Sequence, residues 1–212
     1  MPATNPIPSL SPWFSPAPAG APAPRPLKAI GVVGIGKVGT GIAHWCATRG
    51  MGVILYDPET GALTQAVDVV RDLFNAAEQR GEITHEAAHK AVGGIGISTS
   101  VDDMEFCDMV VETVVEDAAS KRSRFAEFSR VLSPDAVLAS GASGPGLEEL
   151  FAVTGNPGRL IGLGFFPPVH ASPQIQVTIG SQTSRLTAER VLHFVAALGK
   201  TPVVQGEARR QG

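Results

Sequence analysis

The sequence predicts an α/β fold: a doubly wound, mostly parallel sheet with helices on both faces. Three observations carry this. Short apolar runs alternate with helical patterns over most of the chain, as βαβ units require. The first apolar run, around Ile30, Val32 and Val33, ends in glycines spaced G-x-G-x-x-G at Gly34, Gly36 and Gly39. A second apolar run, Val53-Ile-Leu-Tyr56, ends on Asp57, 18 residues after Gly39.

Each glycine has its own physical reason. Gly34 permits the tight turn out of the strand. Gly36 lacks a Cβ, so a diphosphate can approach the backbone. Gly39 lets the following helix pack close to the strand. The N-terminus of that helix offers N–H groups and partial positive charge to an anion. The expected cofactor-binding loop is therefore Gly34, Ile35, Gly36, Lys37, Val38 and Gly39. An acid at Asp57 accepts hydrogen bonds from a ribose 2′-hydroxyl and repels a 2′-phosphate, so NAD is the expected cofactor over NADP. Strand, glycine turn, helix and acid together make this a Rossmann-type arrangement rather than a stray glycine-rich turn.

Composition narrows the rest. An apolar content of 43% in 212 residues supports a real core. The net charge of −3 gives no argument for nucleic acid or an anionic membrane surface. Cys46 and Cys107 lack metal or redox spacing and read as reduced core residues of a cytoplasmic protein, with no metal expected. No apolar run is long enough to span a bilayer, and no secretory signal pattern is present.

Along the chain, residues 1–26 hold nine of the 17 prolines and a single charged residue, Arg25. This segment is expected to be a disordered, solvated leader, with a proline-motif ligand or a short docking spot at Trp13-Phe14 as the alternatives. The domain is expected over 27–212. Leu63, Val67, Val70 and Phe74 share one helix face. Gly81 ends that helix, and Thr84 is a plausible N-cap for the next. Ser100 caps a further turn. Asp108-Met-Val-Val-Glu112 is a continuous apolar strand of the kind buried in a parallel sheet. A helix follows with Phe125, Phe128 and Leu132 inward and Lys121, Arg122, Arg124 and Arg130 on a solvated face. Further strands are expected at Ala136–Ser140, Arg159–Gly164 and Thr201–Val204. Gln174–Ile179 alternates polar and apolar, as a one-sided edge strand does. The last helix is expected over Thr187–Leu198. His44, His85, His89 and His193 read as surface or satisfied core residues.

Five segments taken together resemble the NAD-binding domain of the 3-hydroxyacyl-CoA dehydrogenase family. They are Ile30-Gly-Val-Val-Gly-Ile-Gly36, Asp108-Met-Val-Val-Glu-Thr-Val-Val-Glu-Asp117, Pro134-Asp-Ala-Val-Leu-Ala-Ser140, Arg159-Leu-Ile-Gly-Leu-Gly-Phe-Phe-Pro-Pro168 and Ala197-Leu-Gly-Lys-Thr-Pro-Val-Val204. The resemblance implies NAD-dependent oxidation of an L-3-hydroxyacyl-CoA to the 3-ketoacyl-CoA, in fatty acid metabolism. It also implies that Gly34 to Gly39 and Asp57 hold the ADP half of the cofactor. Glu116 and Lys121 match a pair that reaches the cofactor's other end. Ser143 matches a serine that contacts both the substrate oxygen and the nicotinamide side, and is the catalytic residue the resemblance leaves in place.

The departures are specific. The family's general base is the histidine of a His-Phe-Phe-Asn-Pro segment, which here reads Gly164-Phe-Phe-Pro-Pro168. A glutamate twelve residues on orients that histidine; here the position is Gln176. The Ser-Asn-Thr-Ser loop reads Ser140-Gly-Ala-Ser143. The family's helical C-terminal domain would begin where this sequence ends. Two function classes follow: a dehydrogenase NAD domain with weak or absent turnover on an acyl-CoA or acyl-carrier substrate, and a non-catalytic NAD-sensing or partner-binding protein. A partner surface is expected at an exposed C-terminal edge around Phe165, Phe166 and Val169. His170, six residues beyond Gly164, is expected to be a surface-loop histidine rather than a replacement base.

Overall fold

The computed structural model describes residues 7–11, 13, 14, 20, 23–115, 117–141 and 144–206. Eight strands form one sheet in the order β3-β2-β1-β4-β5-β6-β7-β8. They are β1 (Ala29–Val33), β2 (Gly52–Tyr56), β3 (Ile95–Ser98), β4 (Met109–Glu112), β5 (Val137–Ser140), β6 (Leu160–Phe165), β7 (Gln174–Ile179) and β8 (Thr201–Gly206). The helices are α1 (Lys37–Thr48), α2 (Thr60–Gln79), α3 (His85–Gly93), α4 (Ala118–Val131), α5 (Pro145–Phe151) and α6 (Arg185–Ala197). Neighbouring strands are parallel except β6 and β7, which run antiparallel. The link between those two, residues 166–173, is shorter than the dozen or so residues a parallel crossover needs.

The helices divide between the two faces. On one face α1, α2, α3 and α6 bury Ile42, Leu63, Phe74, Val191 and Phe194 against Ile30, Val32, Val111 and Val177. On the other, α4 and α5 bury Phe125, Phe128, Leu147 and Leu150 against Val33, Val110 and Leu138. Strands buried on both faces have no polar side to alternate with, which is why Met109–Glu112 and Val137–Ser140 are continuous apolar runs. The caps are those the sequence suggested: the Thr84 side chain accepts from Ala87 N–H, and Ser100 accepts from Asp102 N–H.

Two expectations need correction. Gln174–Ile179 is not an edge strand, because β7 pairs with β6 on one side and β8 on the other. The alternation reflects its start at the sheet margin, since its last three residues are all buried. The leader is not wholly unpacked either. Leu10 is buried, and Trp13 and Phe14 pack against the larger core cluster. The N–H groups of Trp13 and Phe14 both donate to Leu10 C=O, at 3.0 and 2.9 Å, which makes a compact turn. Trp13-Phe14 thus pack on this chain's own core, since two aromatics and a leucine bury apolar surface that prolines and alanines cannot. Most of the Pro-Ala run that follows lies outside the described residues.

Candidate functional site: a dinucleotide cleft at the strand C-termini

After β1 the chain order leaves toward β2 and β3, and later returns at β4 and continues toward β8. The C-terminal ends of β1 and β4 therefore flank a switch point, where open α/β sheets bind ligands. The glycine turn lies there. Gly34 has φ +91°, a left-handed conformation that only glycine adopts without strain. A Cβ on Gly39 would fall 1.7 Å from the Gly34 carbonyl oxygen, so α1 can approach β1 this closely only with glycine at that position. A Cβ on Gly36 would meet nothing within 4 Å, so its absence serves no packing within the domain. It leaves room for a ligand against the backbone. Gly36 is also the N-cap of α1 and supplies no side-chain acceptor, leaving the N–H groups of the first turn to an anion. These features fit a dinucleotide diphosphate.

The turn is held from β4 by a residue that the glycine pattern does not reveal. Thr113 donates its N–H to Val33 C=O at 2.8 Å, and its hydroxyl lies 3.1 and 3.0 Å from the carbonyls of Val33 and Gly34. Its position directly after an apolar strand that neighbours β1 is the only sequence signal for this role.

Asp57 follows β2, and the register pairs Val33 with Tyr56, so Asp57 lies beside Gly34 along the sheet margin. Its N–H donates to Ser98 C=O, and its Oδ1 accepts from Glu59 N–H at 2.9 Å. These bonds fix the carboxylate at the end of the sheet where a ribose would meet it.

On the other side of the glycine turn a cleft of about 350 Å³ opens over β4 to β6. Val38, Thr113, Lys121, Gly141, Gly164 and Phe165 are among its lining residues. Lys121 is therefore not part of a solvated face: its ammonium donates to Glu112 Oε2 at 2.7 Å and to Val114 C=O at 3.2 Å. The inward turn follows from Glu112, which is completely buried at the end of β4 and pairs with the Lys121 ammonium. Arg122 does stay at the surface, where it pairs with Glu149 at 2.8 Å. Glu116 and Ser143, the other two cofactor-facing expectations, lie outside the described residues.

Gly164 lines the cleft and pairs with Gln176 across the antiparallel β6–β7 ladder. His170 is in a different place. It lines a separate cavity of about 520 Å³ with His44, Arg80 and Glu82, and its ring stands edge-on to His44 with centroids 6.5 Å apart. His44 departs from expectation: it is buried, but neither ring nitrogen has a hydrogen-bond partner. Burial pushes its pKa down to about 4, with His170 and Arg80 adding to the effect and Glu82 opposing it. Val169 departs too. It is buried against Gly41, leaving Phe166 as the exposed member of the expected apolar edge and Phe165 half-buried. Burial raises the thiols of Cys46 and Cys107 to about 12, so both are inert core residues.

The family described as 3-hydroxyacyl-CoA dehydrogenase, NAD binding domain, matches residues 29–208. The chain belongs to that family. Its fold is the Rossmann-type one and its cofactor is NAD. Similar proteins include a 3-hydroxybutyryl-CoA dehydrogenase of Bradyrhizobium diazoefficiens, 35% identical over 84% of this chain and 61% of the relative. Mycobacterium tuberculosis FadB2 superposes with a TM-score of 0.83 at 33% identity, covering 86% of this chain and 65% of that one. A (S)-3-hydroxybutyryl-CoA dehydrogenase of Ralstonia eutropha gives a TM-score of 0.81 at 29% identity, covering 85% and 64%. The chain thus spans about three fifths of the length of the 3-hydroxybutyryl-CoA dehydrogenases it matches. Among the described residues no helix is long and apolar enough to cross a membrane.

Proposed function

We propose that residues 27–212 form an NAD(H)-binding domain of the hydroxyacyl-CoA dehydrogenase type whose own turnover of hydroxyacyl-CoA is weak or absent. The observation that carries this is the identity of the two cross-strand partners at the cleft, Gly164 and Gln176. Oxidising an alcohol requires a group that takes the hydroxyl proton as hydride leaves. A histidine held by a carboxylate does this near neutral pH, and losing such a base costs about 10²- to 10⁴-fold in rate. Glycine has no side chain to do it, and Gln176 carries no charge to orient one. His170 does not line the cleft, so it does not replace the missing base.

The sequence keeps the residues expected to hold the cofactor by contrast. NAD, when bound, accepts the hydride. This chain's part is to hold it: the α1 N-terminus and Gly36 for the diphosphate, Asp57 for the adenosine ribose, and Lys121 with Glu116 toward the other end. Ser143, by the family resemblance, would hydrogen-bond a substrate oxygen, but a serine alone does not remove its proton. An acyl-CoA substrate is consistent with the relatives' names, and an acyl-carrier one is proposed beside it.

A second reading, a non-catalytic NAD-sensing or partner-binding protein, is favoured by the apolar side chains beside the cleft mouth. Val115 is fully exposed and Phe166 is 49% exposed. The discriminating experiment has two parts. Calorimetric titration with NADH and NADPH is expected to give much tighter binding of NADH, with Asp57→Ala narrowing the gap. NADH formation from 3-hydroxybutyryl-CoA is then measured on the same preparation. Equal affinity for both cofactors would remove Asp57 from its role, and brisk turnover would overturn the weak-catalysis reading.

A further inference from the structure

Beneath the cleft lies an ion pair in which the cofactor reading accounts for Lys121 but not for Glu112. Glu112 is fully buried at the end of β4. Its Oε1 accepts the Val114 N–H at 2.6 Å, and its Oε2 accepts from Lys121 Nζ at 2.7 Å and from the Ser140 hydroxyl at 3.3 Å. Lys121 keeps 15% of its side chain exposed, and that part faces the cleft. A buried ion pair is a weak source of stability, since well-packed apolar residues in its place are often neutral or stabilising. Its position against the cleft wall points to a role in the site.

The role follows from charge. Asp57 and the cleft lie on opposite sides of the glycine turn. A dinucleotide with its adenosine end at Asp57 therefore brings its nicotinamide end over β4 to β6, beside Lys121. The oxidised nicotinamide ring carries one positive charge that the reduced ring lacks. An uncompensated ammonium in a cleft of low dielectric would repel the oxidised ring and leave the reduced one unaffected. Glu112 supplies the compensating charge and, through its bond to the Val114 N–H, also fixes the loop that carries the other Lys121 acceptor.

We propose that Glu112 is a positioning residue for the cofactor: it holds Lys121 at the cleft wall and cancels that charge, so the site accepts oxidised as well as reduced NAD. This rests on the NAD-binding reading above. The test is calorimetric measurement of Kd for NAD⁺ and for NADH at low salt, on the full chain, for wild type, Glu112→Gln, Lys121→Gln and the double variant, with a thermal melt of each. Glu112→Gln is expected to raise the ratio of Kd(NAD⁺) to Kd(NADH) by about tenfold. Lys121→Gln is expected to lower the ratio, and the double variant to return it near the wild-type value. A merely structural role predicts that both affinities fall together with the ratio unchanged, and that result overturns the proposal. If Glu112→Gln does not fold, Lys121→Gln decides alone, and an unchanged ratio there overturns it. Wild-type protein that binds neither dinucleotide would instead bring down the NAD-binding reading and this inference with it.

Discussion

Gly164 and Gln176 face each other across the β6–β7 ladder, and a Cβ on Gly164 would lie 3.3 Å from the Gln176 Cβ. Directly opposed residues of an antiparallel pair are the closest side-chain neighbours a sheet provides. A base on one strand and its orienting acid on the other would therefore touch without any loop to place them. This explains the twelve-residue spacing of the family's histidine and glutamate: residues 166–173 turn the chain back, and the register does the rest. The ladder here is intact, and the two side chains that the chemistry needs are absent.

That geometry sets an expectation for repair. Gly164→His alone should recover little NADH formation from 3-hydroxybutyryl-CoA. Its Cβ must push Gln176 aside by a few tenths of an ångström, and the imidazole gains no carboxylate. Gly164→His with Gln176→Glu should recover more, because the pair is then adjacent by register. Wild-type turnover should stay below about 1 s⁻¹, the low end of ordinary enzymes. A steady-state assay of the three proteins checks this, and wild-type turnover above that level would place the base elsewhere.

Gly36 and Gly39 should respond oppositely to the same substitution. Gly39→Ala drives a methyl into the Gly34 carbonyl, a contact of 1.7 Å that only backbone movement relieves. It should lower the thermal midpoint by several degrees, as destabilisations of about 1–3 kcal/mol do. Gly36→Ala meets nothing within 4 Å, so its midpoint should stay close to wild type while NADH affinity falls at least tenfold. Melting curves and cofactor titrations of both variants decide it. Loss of stability in Gly36→Ala would mean that the glycine serves the fold and not the cofactor.

How much of this was legible in the sequence depends on whether the signal was local. The glycine turn, the caps at Thr84 and Ser100 and the apolar strands are read from neighbouring residues, and the structure has them. The family resemblance singled out Lys121, but its inward turn is not legible in the pattern of α4, which does not distinguish it from Arg122. Its direction is set by Glu112, a strand residue nine positions earlier that reads as the polar end of an apolar run. Thr113 was hidden for the same reason, since its acceptors belong to the end of β1 and the turn after it, 80 and 79 residues away. The β7 assignment failed because alternation reports burial of faces, not the presence of a neighbour at the edge.

The packed leader is testable by truncating its anchors. Leu10 is 6% exposed and shares the core cluster that Trp13 and Phe14 pack against. Deleting residues 1–9 should leave the thermal midpoint nearly unchanged. Leu10→Ala and Trp13→Ala should each lower it, by the equivalent of about 1–3 kcal/mol given their partial burial. Midpoints of both point variants equal to wild type would show that these contacts contribute nothing to stability.

His44 gives the fold an acid-sensitive point. It is 2% exposed, both ring nitrogens lack partners, and burial places its pKa near 4 rather than 6.5. Because the folded value is the lower one, the unfolded chain binds the proton more readily between pH 6.5 and 4. Folding is therefore unaffected by this group above the unfolded pKa and is progressively penalised as pH falls through that window. The full shift corresponds to about 3 kcal/mol, at 1.36 kcal/mol per unit. His44→Gln removes the titration while keeping a polar side chain of similar reach. It should flatten the loss of stability between pH 6.5 and 4 relative to wild type, leaving the carboxylate contribution that both proteins share. Urea unfolding at half-unit pH steps for the two proteins measures the difference. Parallel curves through that interval would mean that the His44 pKa is the same in the folded and unfolded chain and that its burial does not control the pH response.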